Sequence, residues 1–145
     1  MFYGAHEHTI DRKGRLIIPS KFRDLCKEHL VEELYITRGL DGCLFLFTEE
    51  EWRLLESRFK SVSFTRAEGR RFNRLFFSGA CEVSPDRQGR ILVPRDLKEY
   101  AQIKRDVMVV GVSNRVEVWA LERWQSFTSE SLPHFEDVAE KFLGE

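Results

Sequence analysis

The chain has 145 residues, of which 42% are hydrophobic and 32% charged, and its formal net charge is −1. This composition is typical of one compact domain or of two small halves packed together, and it argues against extensive disorder. The N-terminus lacks the apolar run of a secretory signal, and no stretch approaches the roughly 18 apolar residues of a membrane helix, so we expect neither segment.

The sequence of the first half predicts alternating strands and turns with one short helix. Asp11 to Gly14 has the chemistry of a tight turn, because Asp accepts backbone hydrogen bonds and Gly adopts a left-handed conformation without steric cost. Pro19 fits the first turn of a helix. The predicted elements in chain order are strand 6–10, turn 11–14, strand 15–18, helix 20–28, strand 34–38, turn 39–42 and strand 43–47.

Two helices are predicted between the halves. Thr48 followed by Glu51 matches a capping box, which predicts a helix with Trp52 on its apolar face. Thr65 followed by Glu68 predicts the start of a second helix by the same rule. The apolar stripe of this second helix is formed by Phe72, Leu75 and Phe76.

The second half repeats the plan of the first half. Its predicted elements are strand 80–84, a turn at Asp86, strand 90–93, a helix from Pro94 to about residue 100, strands 107–112 and 115–120, a closing helix that begins at 122–127 and a C-terminal helix at 135–142. Strands and helices in this order predict an α+β fold, with a small intertwined barrel or sheet core and helices outside.

The halves are also related residue by residue. Asp11-Arg12-Lys13-Gly14-Arg15 recurs 75 positions later as Asp86-Arg87-Gln88-Gly89-Arg90. A second block aligns at a shift of 72 positions, where Gly39 meets Gly111 and Trp52 meets Trp124. Two copies are too few for a solenoid, so the repeat predicts a fused fold with internal pseudo-twofold symmetry.

The charged residues are segregated along the chain. The small net charge argues against a nucleic-acid-binding protein, because such domains are usually basic overall. However, basic residues cluster around both repeated turns while much of the acidic charge lies elsewhere, and a local field can bind phosphate without a high net charge. The basic clusters are Arg12, Lys13, Arg15, Lys21 and Arg23 in the first copy and Arg87, Arg90, Arg95 and Lys98 in the second.

The repeated turn has a structural and a functional interpretation. Turn formation alone accounts for Asp11, Gly14, Asp86 and Gly89, but a turn requires no cation at the remaining positions. An arginine four residues after an aspartate can be held by that carboxylate, which orders its guanidinium at small entropic cost. Such a guanidinium can bind guanine O6 and N7, while neighbouring cations neutralise phosphates. The candidate DNA-binding residues are therefore Arg12, Lys13, Arg15, Arg87 and Arg90.

These motifs carry a family resemblance. Residues 4–23, Gly-Ala-His-Glu-His-Thr-Ile-Asp-Arg-Lys-Gly-Arg-Leu-Ile-Ile-Pro-Ser-Lys-Phe-Arg, resemble the start of the MraZ family of bacterial transcriptional regulators, and residues 86–94 resemble its second half. The resemblance covers essentially the whole chain. Asp11, Arg15, Asp86 and Arg90 match the motif residues of that family. Lys13 is replaced by Gln88 in the second copy, which predicts unequal DNA contacts by the two turns.

The resemblance implies a fold, an assembly and a function. The implied fold is two tandem swapped-hairpin domains of the AbrB type, forming a pseudo-twofold β core similar to a double-psi barrel with peripheral helices. The implied segments are repeat 5–47, helical connector 48–75, repeat 76–119 and C-terminal helical segment 120–145. The implied protein is a cytoplasmic, nucleoid-associated ring of identical subunits. It binds double-stranded promoter DNA at short direct repeats and regulates the division and cell-wall gene cluster.

Other chemistry receives less support from the sequence. His6 and His8 share a strand face and could approach Cys81, but zinc needs a fuller ligand set, so we expect no metal. Glu7 and Glu82 form a carboxylate pair by repeat symmetry, but no nucleophile or cofactor motif accompanies them. We therefore expect no enzyme, cofactor or small-molecule substrate. An oligomeric protein-interaction scaffold without sequence-specific DNA binding is the alternative function.

The cysteines bear on the compartment. Cys26, Cys43 and Cys81 are odd in number and far apart, and none forms a CxxC pair. This spacing argues against a disulfide framework and is typical of a protein from a reducing cytosol.

Overall fold

The computed structural model describes residues 1–144 and has the expected α+β architecture. Its strands are β1 (Phe2–Thr9), β2 (Arg15–Ile17), β3 (Leu34–Arg38), β4 (Leu44–Thr48), β5 (Cys81–Val83), β6 (Arg90–Leu92), β7 (Asp106–Ser113) and β8 (Val116–Ala120). Its α-helices are α1 (Ser20–Glu28), α2 (Glu49–Phe59), α3 (Ala67–Ser78), α4 (Arg95–Tyr100), α5 (Leu121–Ser131) and α6 (Phe135–Leu143). None of these helices is both long enough and apolar enough to cross a membrane.

The repeats exchange strands. The larger sheet has the antiparallel order β1-β7-β8-β4-β3-β5, and β2 pairs with β6 in a separate two-stranded ribbon. The first strand of each repeat thus pairs with a strand of the other repeat, β1 with β7 and β5 with β3. This exchange agrees with the expected swapped-hairpin organisation and joins the two halves into one fold.

The local hairpins predicted at the repeated turns are only partly formed. The chain does reverse at Asp11, but a single bridge, Ile10 with Leu16, links β1 to the returning strand. Beyond that bridge β2 leaves β1 and pairs with β6, so that Leu16 lies opposite Ile91. Turn chemistry therefore predicts the reversal correctly, but it does not determine which strand the returning segment joins.

The repeat alignment needs one correction. The sequence alignment at a shift of 72 makes Gly39 the equivalent of Gly111. The strands instead make Arg38 the equivalent of Gly111, which is a shift of 73. Under this shift β3 and residues 107–111 have the same sequence of buried and half-buried positions, and Leu34 matches Val107. A one-residue slip would turn every side chain of the strand to the opposite face, so burial determines the register. Counted from the equivalent residues Leu30 and Gln102, the loop before Val107 therefore has one residue more than the loop before Leu34.

The core consists of an aliphatic and an aromatic cluster. The aliphatic cluster lies between the strands and the helices that cover them. Its fully buried members are Leu16, Ile36, Leu44, Leu97, Ala101, Val107, Val109 and Val118, and Ile91 is almost as buried. In the aromatic cluster, the ring of Trp52 from α2 stacks on Phe76 from α3 at 5.8 Å between centroids. Trp119 is also buried, and Trp124 packs against it at the edge of this cluster.

Helix starts follow the predicted chemistry in one case and depart from it in another. Thr48 caps α2 as expected, because its hydroxyl accepts a hydrogen bond from the Glu51 backbone N–H at 3.3 Å. Thr65 does not cap α3. Its hydroxyl hydrogen-bonds with Ser63 at 2.7 Å, and α3 begins two residues later at Ala67. Leu75 is largely exposed rather than part of the apolar stripe.

Candidate nucleic-acid interface

The first repeated turn is held by the Asp11 carboxylate. Oδ1 accepts hydrogen bonds from the backbone N–H groups of Lys13 and Arg15, both at 2.9 Å. Oδ2 accepts a hydrogen bond from the side-chain Nε of Arg15 at 2.7 Å. Gly14 closes the turn with a positive φ of 85°. The turn and the arginine side chain are therefore ordered by the same carboxylate.

The second turn reproduces this arrangement. Asp86 Oδ1 accepts hydrogen bonds from the N–H groups of Gln88 and Arg90, and Oδ2 accepts one from Arg90 Nε, all at 2.9 Å. Gly89 has a φ of 78°. The Lys13-to-Gln88 replacement leaves this geometry unchanged, because only the backbone N–H of that residue takes part.

These hydrogen bonds stabilise both carboxylates in their charged form. The hydrogen bond from the Arg15 backbone N–H is the main cause that lowers the pKa of Asp11, and desolvation partly offsets it. The equivalent hydrogen bond from Arg90 lowers the pKa of Asp86. Both ion pairs therefore persist at neutral pH, and each arginine keeps its terminal nitrogens for other partners because its bond to aspartate uses Nε.

The two turns are joined through the β2–β6 ribbon. The Gly14 carbonyl accepts a hydrogen bond from the Val93 N–H, and the Gly89 carbonyl accepts one from the Ile18 N–H, both at 2.8 Å. The turns thus lie at the two ends of one short ribbon. A β-carbon at Gly14 would lie 3.2 Å from the Val93 carbonyl oxygen, so this tight approach favours glycine in addition to the positive φ.

The ribbon has a buried face and a solvent-facing side. Leu16 and Ile91 fill the buried face. Since side chains alternate along a strand, the neighbours of these two residues point outward. In register, Arg15 lies opposite Leu92 and Ile17 lies opposite Arg90. We call the outward set Arg15, Ile17, Arg90 and Leu92 the ribbon face.

Sequence reasoning found the two arginines of the ribbon face but missed its two apolar members. Ile17 is 41% exposed and Leu92 is 58% exposed, so both are apolar side chains on a solvent-facing surface. The missed signal was the two-residue alternation of strands, because Ile17 and Leu92 share their parity with Arg15 and Arg90. The apolar runs 16–18 and 91–93 concealed that alternation.

The remaining predicted cations flank the ribbon face. Arg12 and Lys13 are exposed in the first turn, and Arg87 is exposed in the second. Arg23 lies against Gly89, and its Nε donates a hydrogen bond to the Ile18 carbonyl at 3.0 Å. The structure therefore brings all five candidate DNA-binding residues to the two ends of one ribbon.

The alternative metal and acid–base sites do not assemble. His6 lies on β1 and Cys81 on β5, the two outer strands of the sheet, and Glu7 and Glu82 are separated in the same way. Residues 1–144 contain no group of three or more side chains suited to hold a metal. Burial is the main cause that lowers the pKa of His8, with further contributions from His6 and Arg23.

Comparisons with known proteins agree with the repeat and with the motif. A family model described as "MraZ protein, putative antitoxin-like" matches residues 1–75 and again 76–144. A protein of Heliobacterium modesticaldum named transcriptional regulator MraZ is 48% identical over 99% of this chain and 97% of its own length. Proteins of the same name from Acetivibrio thermocellus and Moorella thermoacetica are each 50% identical, over 97% and 99% of this chain and 96% and 97% of their own lengths. The chain therefore belongs to the MraZ family.

Proposed function

We propose that this protein regulates transcription by binding double-stranded DNA through the ribbon face. The observation that carries the proposal is the arrangement of two carboxylate-held arginines on the outward side of one antiparallel ribbon. The names of the full-length relatives, transcriptional regulators, support the same function. No catalytic role is proposed.

The dimensions of the ribbon suit the DNA major groove. The groove is about 12 Å wide and admits a two-stranded β-ribbon, and paired strands lie about 4.8 Å apart. Arg15 and Arg90 would each direct their terminal nitrogens at the acceptors of a guanine. Ile17 and Leu92 would contact the methyl groups of neighbouring thymines. This assignment also explains why two apolar side chains remain exposed beside a buried pair.

The cations at the ribbon ends would contact the DNA backbone. Arg12, Lys13 and Arg87 are exposed at the tips of the turns, where they flank the groove-facing residues. Contacts of this kind position a protein on the duplex without specifying sequence. We therefore propose that the ribbon face recognises bases and that the turn tips neutralise phosphates.

The proposal includes assembly into a ring of identical subunits on short promoter direct repeats. A single ribbon reads only a few base pairs, and linked ribbons that bind adjacent repeats raise the effective concentration of each other. The C-terminal region supports self-association, because its large apolar side chains are exposed. These side chains are Leu132, Phe135, Val138 and Phe142.

The family resemblance of the sequence motifs is the basis for identifying the target promoter. We propose that the promoter belongs to the division and cell-wall gene cluster and that the protein is cytoplasmic and nucleoid-associated. The segment division 5–47, 48–75, 76–119 and 120–145 remains a prediction.

Fluorescence anisotropy with labelled duplexes tests the proposal. We expect the protein to prefer promoter DNA over a scrambled duplex of equal length at moderate salt. The Arg15→Ala/Arg90→Ala variant should lose that preference while it keeps its fold and its mass in solution. Equal binding of both duplexes by the wild-type protein would favour the scaffold function, which requires no sequence preference.

A further inference from the structure

The two repeats differ in charge at one pair of equivalent loops. Each loop joins the helix after the ribbon strand to the next sheet strand. Leu30 and Gln102 mark the loop starts, with φ values of 56° and 54°. The following residues are Glu32-Glu33 in the first repeat and Lys104-Arg105-Asp106 in the second. The acidic loop and the basic loop, as we name them, therefore occupy equivalent places with opposite charge.

Equivalent backbone contacts support the comparison. The N–H of Val31 donates to the Cys26 carbonyl at 2.7 Å, and the N–H of Ile103 donates to the Lys98 carbonyl at 3.0 Å. After the loops, Leu34 and Val107 enter equivalent strands. The acidic and basic loops thus begin and end alike.

The basic loop lies against the first turn. The N–H of Ile10, the residue before Asp11, donates a hydrogen bond to the Arg105 carbonyl at 2.8 Å. Pro85 is the equivalent of Ile10 and has no N–H, so the equivalent hydrogen bond cannot form in the other repeat. Lys104 and Arg105 are exposed. The basic loop is therefore held beside the turn that carries Arg12 and Lys13.

The basic loop also borders a cleft of about 880 Å³. Its charged lining residues are the cations Arg95, Lys98, Lys104 and Arg105 and the carboxylates Glu99, Asp106 and Glu122. The charged lining residues of the equivalent cleft, of about 610 Å³, are Glu32, Glu33, Glu49, Glu50 and one cation, Arg53. Cations outnumber carboxylates by one in the first cleft, and carboxylates outnumber cations by three in the second. The difference in charge between the clefts is therefore larger than that between Lys13 and Gln88.

The acidic loop lies near the second turn, because Leu34 pairs with Val83 and the preceding residue, Glu33, is therefore level with Ser84, two residues before Asp86. Glu33 lies beside Glu82, which is on β5 and precedes Asp86 by four residues. Contact with the Glu82 carboxyl raises the pKa of Glu33 above its ordinary value. Glu32 and Glu33 therefore place acidic side chains beside the second ribbon end, where a carboxylate would repel DNA phosphates.

We propose that Lys104 and Arg105 form an additional phosphate-binding site beside the first turn, and that Glu32 and Glu33 exclude the DNA backbone beside the second. This inference rests on the proposed DNA-binding function. A ribbon with equal charge at both ends would bind DNA equally in two orientations. Opposite charge favours one orientation. A preferred orientation suits direct repeats, because successive direct repeats present the same polarity to every subunit.

Salt titration of matched variants tests this inference. We expect Lys104→Gln/Arg105→Gln to weaken binding of promoter and scrambled duplexes alike. The slope of log K against log salt should become shallower by about 0.9 for each phosphate that the variant no longer neutralises. The matched variant Glu32→Gln/Glu33→Gln should bind both duplexes more tightly. All four side chains lie away from the core, so the thermal unfolding midpoints should remain close to that of the wild type.

Two results would overturn the inference. One is an unchanged salt slope in Lys104→Gln/Arg105→Gln. The other is dissociation of the assembly by that variant in the absence of DNA, measured as mass in solution, because the basic loop would then be a subunit contact. The Arg15→Ala/Arg90→Ala variant separates this inference from the proposed function. Loss of promoter preference in that variant, with no effect of the loop variants, would reject only the inference.

Discussion

Leu16 and Ile91 lie directly opposite each other across the β2–β6 ribbon, and they occupy the same position of the two repeats. Phe45 and Glu117 are related in the same way across β4 and β8. The pseudo-twofold axis therefore passes through both pairs. Residues on such an axis belong equally to both halves, so a change at either position should affect the whole fold.

Truncation at the axis should lower global stability. Leu16 and Ile91 are almost fully buried, so Leu16→Ala or Ile91→Ala should each reduce the free energy of unfolding by about 2–5 kcal/mol. Urea denaturation followed by tryptophan fluorescence and by circular dichroism measures this change. Both probes should report one shared transition. A separate transition in which one repeat remains stable would contradict the strand exchange. Ile17→Ala is the matched surface control.

The ribbon face should contribute to DNA recognition more than to folding. Ile17→Ala and Leu92→Ala remove exposed side chains, so we expect changes in stability within about 0.5 kcal/mol. Each variant should reduce the preference for promoter over scrambled duplex, because a thymine methyl group no longer has an apolar partner. Anisotropy titrations with thymine-to-uracil substituted duplexes measure this effect. A wild-type protein indifferent to the missing methyl would contradict the assignment.

The planar guanidinium of Arg15 should contribute to DNA recognition through its geometry as well as its charge. Arg15→Lys keeps a cation but loses the planar set of donors that binds aspartate and guanine together. We expect promoter affinity to fall by about 1–3 kcal/mol while binding of the scrambled duplex changes little. Arg12→Lys, at the turn tip, should be tolerated for both duplexes. Equal losses on both duplexes would place Arg15 on a phosphate instead.

Acid should remove the stability that the two turns contribute. The folded protein lowers the pKa of Asp11 and of Asp86, so the contribution is present above the ordinary aspartate pKa of about 4 and is lost as pH falls through the lower folded value. Asp11→Asn/Asp86→Asn should therefore have a lower thermal midpoint than the wild type at pH 7. The difference should shrink below pH 4. A constant difference across that range would show that charge is not the cause.

Cys43 should resist modification in the folded protein. Its side chain is buried, and burial raises the pKa of its thiol to about 12. Because the thiolate is the nucleophile, labelling with a disulfide reagent at pH 7.5 should proceed at Cys26 and Cys81 before Cys43. Mass spectrometry of labelled peptides assigns the sites. Equal labelling of all three in urea provides the control, and rapid native labelling of Cys43 would contradict its placement in the core.

The sequence predicted the locally determined features well. Helix α1 and strand β3 have the predicted bounds, and both turns have the predicted aspartate and glycine roles. Thr48 caps α2 as expected, although Thr65 does not cap α3. These features depend on hydrogen bonds and dihedral preferences within a few residues, so the relevant interactions can be identified from residues that are close in sequence.

By itself, the sequence determined that the protein is a duplicated α+β chain with two basic turns of the MraZ type. Only the tertiary structure decided which strands pair, because the two copies offer similar partners and the choice depends on contacts between residues far apart in sequence. The pairing of β2 with β6 places Arg15, Ile17, Arg90 and Leu92 on one face. The hydrogen bond from Ile10 to Arg105 likewise brings the basic loop to the first turn. Both surfaces require the two repeats to fold together, so neither is encoded within one repeat.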